Sequence, residues 1–196
     1  MRRFAKSRVE ALTDGIFAFA MTLLVLDIRL PADLPISDAR ELTAQILGLW
    51  PQALTYLISF MVLGALWRSG TELARRADTV SGGLLKLWML YLFFVTSLPF
   101  SSGVVSHYGG MAPAVWLYAA NMFLLGALAL PLNLWDIARG QEAAARATRQ
   151  RLLLFMASAV VSALIACLAP RQALYAYVLN GLGHLLIRLP PPPRRS

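Results

Sequence analysis

Between Lys86 and Asp136 the chain runs for 49 residues, Leu87 to Trp135, without one Asp, Glu, Lys or Arg. In an ordinary globular domain about a quarter of the residues are charged, so a soluble fold has little use for such a stretch. A helix crosses the apolar core of a bilayer in about 20 residues, which makes this run too long for one crossing and suitable for two. The segment SSGVVSHYGGMAP, Ser101 to Pro113, is rich in Gly, Ser and Pro and supplies the reversal. Helices are therefore expected over 84–100 and 114–135.

The same criterion marks 47–67, where 21 residues carry no charge, and 152–169. A weaker span, 172–188, contains Asn180, Gly181, Gly183 and His184. The first span, 8–28, has an uncharged part of only 12 residues, Gly15 to Leu26. That length alone would suit a secretory leader, but Asp14 interrupts the apolar run and no small-x-small cleavage site precedes DIRLP. With 58% hydrophobic and 14% charged residues and a mean hydropathy of +0.61, the expected fold class is all-α. It is an integral membrane bundle of six transmembrane helices over 1–189, followed by a disordered Pro-rich basic tail, 190–196.

Six crossings leave both termini on one side. Of the 18 Lys and Arg residues, all but Arg29, Arg40 and Arg171 fall in the segments on that side. By the positive-inside rule the N- and C-termini are cytoplasmic, in a multi-pass protein of the inner (plasma) membrane. The net charge of +8 then reflects topology and contact with anionic headgroups, and calls for no nucleic acid. Trp50, Trp67, Trp88, Trp116 and Trp135 lie near span ends, where interfacial indoles belong. Cys167 is the only cysteine, so no intrachain disulfide forms, and with two histidines no dedicated metal cage or other cofactor site is expected.

Asp38, with Glu41 three residues on, has the spacing of a helix N-cap and predicts a short amphipathic helix leading into the second span. EAAARATRQRLLL extends the fifth span beyond the bilayer.

Charge inside a span is costly and tends to mark function. Asp14 sits about 8–9 Å along a helix that begins near Arg8, at 1.5 Å per residue. At about 100° per residue, Leu12, Gly15, Phe19, Thr22, Leu23 and Leu26 fall on one stripe, and Asp14 lies about 140° from Phe19. An acid off that stripe reads as a packing group rather than an ion ligand. The stripe by itself fits either helix packing or the lining of a path.

The stretch RVEALTDGIFAFAMTLLVLDI, Arg8 to Ile28, resembles the first-helix signature of the endosomal and lysosomal potassium channel family called transmembrane protein 175, in its bacterial form. Arg8, Glu10, Ala11, Asp14, Gly15, Phe17, Ala18, Ala20, Thr22, Leu23, Leu24, Leu26 and Ile28 match it directly. LFFVTSLPFSS, Leu92 to Ser102, is similar to the family's third helix. The resemblance implies a homotetramer whose pore is lined by helix one of each subunit, with bulky apolar side chains as the constriction in place of a carbonyl filter. Carried over, the pore-lining residues are Phe19, Thr22, Leu23 and Leu26, and Arg8, Thr13 and Asp14 form a polar cluster that pins helix one to its neighbours. The implied partners are K+ or other monovalent cations, the lipid bilayer and three further copies of the chain.

Three positions differ from the family pattern. Phe19 stands where Ile or Leu is usual, Gly70 where a His follows Trp67 by three, and Trp88 where an Asn is common. All three bear on conduction and on preference for K+. The rival readings are a non-conducting membrane scaffold of the same fold and a small secondary transporter, the latter resting on the Asn180–His184 patch. An enzyme is not expected, because no nucleophile–base pair stands out.

Overall fold

The computed structural model describes residues 3–30, 37–71, 78–135 and 140–177. A three-residue strand, β1 (Arg3–Ala5), leads into α1 (Lys6–Leu23), whose last turn tightens into a 3-10 turn over Leu24–Asp27. Next come α2 (Ala39–Gly48) and α3 (Trp50–Thr71), separated by Leu49 alone. A second strand, β2 (Thr79–Ser81), precedes α4 (Gly82–Tyr108), α5 (Ala112–Leu134) and α6 (Glu142–Ile165).

Local chemistry accounts for most of these limits. Asp38 caps α2, its Oδ1 accepting from the backbone N–H groups of Arg40 (2.8 Å) and Glu41 (2.7 Å), while Glu41 Oε2 accepts from Ser37 N at 2.8 Å. Pro51 lies in the first turn of α3 and Pro113 in that of α5, where a missing N–H costs nothing. Ser81 caps α4 through Leu84 N. Gly140 has φ +85°, a left-handed turn that opens α6 and that a residue with a Cβ adopts at a cost.

Among the described residues, five helical segments are long and apolar enough to cross a membrane: Lys6–Asp27, Ala39–Thr71, Gly82–Tyr108, Ala112–Leu134 and Glu142–Ile165. The sixth span expected at 172–188 lies largely outside the described residues; a 3-10 turn, Pro170–Gln172, marks its approach. The reversal expected across Ser101–Pro113 is confined to Gly109–Met111, and α4 runs on to Tyr108. The hydroxyls of Ser101 and Ser106 donate to carbonyls three residues back, Leu98 O and Gly103 O, and His107 Nδ1 lies 2.9 Å from Gly103 O. Polar side chains that bond the preceding turn are satisfied within the helix and at most bend it. His107 is thus helical rather than in a loop, and Cys167 sits in the turn after α6 rather than within a span.

β1 and β2 pair antiparallel, Phe4 opposite Val80, an element with too few residues to show a period in the sequence. With Lys6 N donating to Asp78 O (3.0 Å), the pairing sets α1 and α4 off from the same end of the molecule.

The core lies around α5, where Val115, Tyr118, Met122, Leu125 and Ala129 are buried against α4 and α6. Gly126 permits the close approach of α6: a Cβ there would fall 2.6 Å from Met156 Cγ. A polar seam crosses the core. Ser59 Oγ lies 2.9 Å from Tyr118 Oη and 3.1 Å from Ser102 Oγ, and Asn121 Nδ2 donates to Ser101 Oγ at 2.9 Å. Such interhelical bonds hold helices together where no hydrophobic force separates protein from lipid.

Candidate pore helix and the polar clamp at its foot

One face of α1 is committed to the bundle. Val9, Phe17, Ala20 and Leu24 are buried, and the Phe17 ring meets Tyr91 of α4 at a centroid distance of 6.0 Å. The opposite stripe has no cover among the described residues. Leu12, Gly15, Phe19, Thr22 and Leu26 are all exposed, Phe19 at 63% and Leu26 at 64%, and Leu23 is half-buried at the stripe's edge. These five positions recur every three or four residues, which stacks them along one side of a helix. Thr22 Oγ1 donates to Phe19 O at 2.7 Å, so its hydrogen is spent on the helix and its lone pairs face outward.

Two indoles grip the N-terminal turns of α1 from off the stripe. Trp67 Nε1 of α3 donates to Asp14 Oδ1 at 2.8 Å. Trp88 Nε1 of α4 donates to Thr13 Oγ1 at 2.9 Å, and Thr13 Oγ1 in turn donates to Val9 O at 2.7 Å. Thr13 and Asp14 are thereby brought together with α3 and α4. Arg8 is exposed on the same helix, and the described residues give it no hydrogen bond or ion pair. The ion pair on this surface is instead Lys6 Nζ to Glu10 Oε1, 3.4 Å apart.

Trp88 corrects the sequence reading. It is buried, not an interfacial anchor. Because α4 begins at Gly82, Trp88 lies about 9 Å along the helix at 1.5 Å per residue, level with Thr13. No pattern in α4 announces this; only the packing of α4 on α1 does. Gly70 leaves room beside it: a cavity of about 40 Å³ is lined by Thr13, Trp67, Gly70, Trp88, Tyr91 and Asn133 among others. Asn133 of α5, which sequence reasoning passed over, donates through Nδ2 to Ser69 Oγ at 3.3 Å.

At the far end of α1, Asp27 rests directly on α4. A Cβ at Gly103 would lie 2.8 Å from each carboxylate oxygen, so only glycine admits the contact. Both ends of the helix that carries the stripe are thus fastened by polar side chains, and its middle by apolar ones.

Residues 8–99 match the sequence model of a family described as Endosomal/lysosomal potassium channel TMEM175. A potassium channel of Streptomyces collinus is 31% identical over 204 residues, covering 96% of each chain. The mouse endosomal/lysosomal proton channel TMEM175 is 38% identical over 102 residues, 48% of this chain and 20% of that one. The crystal structure of a lysosomal potassium-selective channel TMEM175 homologue from Chamaesiphon minutus superposes with a TM-score of 0.75 at 24% identity, over 92% of this chain and 96% of the other.

Proposed function

We propose that this chain, which belongs to the endosomal/lysosomal potassium channel family TMEM175, forms a potassium-permeable cation channel as a homotetramer. The observation that carries the reading is the uncovered stripe of α1. In a bilayer an uncovered apolar stripe faces either lipid or another copy; membership of the channel family favours the second, and a closed ring of four copies turns four such stripes toward one axis.

In that ring Phe19 and Leu23 form the narrow point, with Leu26 beyond them. A constriction of apolar side chains gates by excluding water until it widens. Thr22, one turn along, presents its oxygen lone pairs to a cation that has shed part of its hydration, since its own hydrogen is held by Phe19 O. Thr13 and Asp14 face away from the axis and work as positioning groups. Held by Trp88 and Trp67, they set the angle of α1 and with it the width at Phe19. Arg8 completes the cytoplasmic end of the helix. The basic segments support an orientation with both termini in the cytoplasm, and the plasma membrane is the location proposed. The K+ named for the Streptomyces and Chamaesiphon relatives is the ion proposed here.

The test is ion flux from proteoliposomes holding the purified protein, under K+ and then Na+ gradients. K+ flux that exceeds Na+ flux and changes in Phe19→Ala is the expected result. No flux of either ion from wild type and Phe19→Ala alike would refute conduction and leave a membrane scaffold of the same fold.

A further inference from the structure

The cavity beside Gly70 has the chemistry of a hydration site. It is partly open and offers about 40 Å³ to water. A water needs roughly 10–15 Å³ by this kind of measure, together with two to four polar partners. The partners are present. Asn133 is 4% exposed, and its Nδ2 is engaged by Ser69 while its Oδ1 makes no hydrogen bond among the described residues. That Oδ1 points at Gly70, where an added Cβ would lie 3.6 Å from it. Tyr91 lines the same cavity, is 6% exposed, and its hydroxyl likewise has no partner among the described residues. Thr13 Oγ1, the acceptor of Trp88, forms part of the wall.

An amide oxygen and a phenol on residues otherwise shielded from solvent gain hydrogen bonds from any water that the cavity admits. The surrounding groups offer no remedy: Trp67 and Trp88 spend their N–H groups on Asp14 and Thr13. We propose that the cavity binds one or two ordered waters, which donate to Asn133 Oδ1 and accept from Tyr91 Oη. They tie α5 and α4 to the foot of α1. Gly70 is the residue that keeps the space open, and the site exists whether or not the protein conducts.

Two variants separate a wet cavity from a dry one. Gly70→Ala puts a methyl group where the water lies and leaves Asn133 Oδ1 unpaired. Gly70→Ser puts a hydroxyl within reach of the same oxygen and replaces the water's donor. A Cβ at Gly70 would meet Asn133 Oδ1 at 3.6 Å, an ordinary van der Waals contact, so both variants are expected to fold. X-ray hydroxyl-radical labelling of the detergent-solubilised protein in 18O water should oxidise Tyr91 in wild type despite its burial, and several-fold less in Gly70→Ala. In thermal unfolding Gly70→Ser should melt at or above Gly70→Ala, although serine is the poorer helix former. Tyr91 left unlabelled in wild type, labelled equally in wild type and Gly70→Ala, or a lower melting point for the serine variant would each overturn the proposal.

Discussion

Phe17 and Phe19 sit two residues apart on α1 and give the sharpest test of what its two faces do. Phe17 is 2% exposed and Phe19 63%, a difference of about 61% of a side chain that presents roughly 200 Å². That is about 120 Å² of apolar surface, so Phe17→Ala forfeits packing contacts inside the bundle that Phe19→Ala does not. Phe17→Ala also leaves a hole against Tyr91, so its full cost is expected at about 3–5 kcal/mol. Phe19→Ala opens onto the stripe and should cost less than about 1.5 kcal/mol, while altering ion flux. Denaturant unfolding in detergent measures both costs, and proteoliposome flux measures the second effect. If Phe19→Ala destabilised the protein as much as Phe17→Ala and left flux unchanged, the stripe would be an ordinary packing face.

Three further outcomes are expected. Thr13→Val removes the acceptor of Trp88 Nε1 and should cost about 0.5–1.5 kcal/mol or more, read as a lower melting temperature together with a changed flux ratio. Gly126→Ala drives a methyl group into Met156 and Phe155, an overpacking of about 1–3 kcal/mol that unfolding measurements should register without any change in selectivity. Gly103→Ala should displace the Asp27 carboxylate and destabilise by a similar 1–3 kcal/mol. The double variant with Asp27→Ala should recover most of that loss, whereas purely additive costs would show that the contact is not the cause.

The sequence by itself determined that this is a membrane protein, because uncharged runs as long as Leu87–Trp135 are stable only in a bilayer. It also determined the angular stripe on α1, since helical periodicity alone places Leu12, Gly15, Phe19, Thr22 and Leu26 on one side. The cap at Asp38 was legible for the same reason: the groups that make it are near neighbours in the chain. Other features depend on contacts between distant segments, and no local pattern encodes those. That no described residue covers the stripe is known only once α3 and α4 are seen to pack on the other side of α1. Trp88 reads as an interfacial anchor until α4 is laid against α1 and its N–H meets Thr13, 75 residues away. The segment Ser101–Tyr108 has the composition of a break, yet it stays helical, with Ser101 and Ser102 buried and bonded to Asn121 of α5 and Ser59 of α3. Gly70, Asn133 and Tyr91 come from three helices, and only tertiary packing brings them around one cavity. Periodicity is written along a chain, but a void, a clamp or an uncovered face is a relation between helices, decided when they meet.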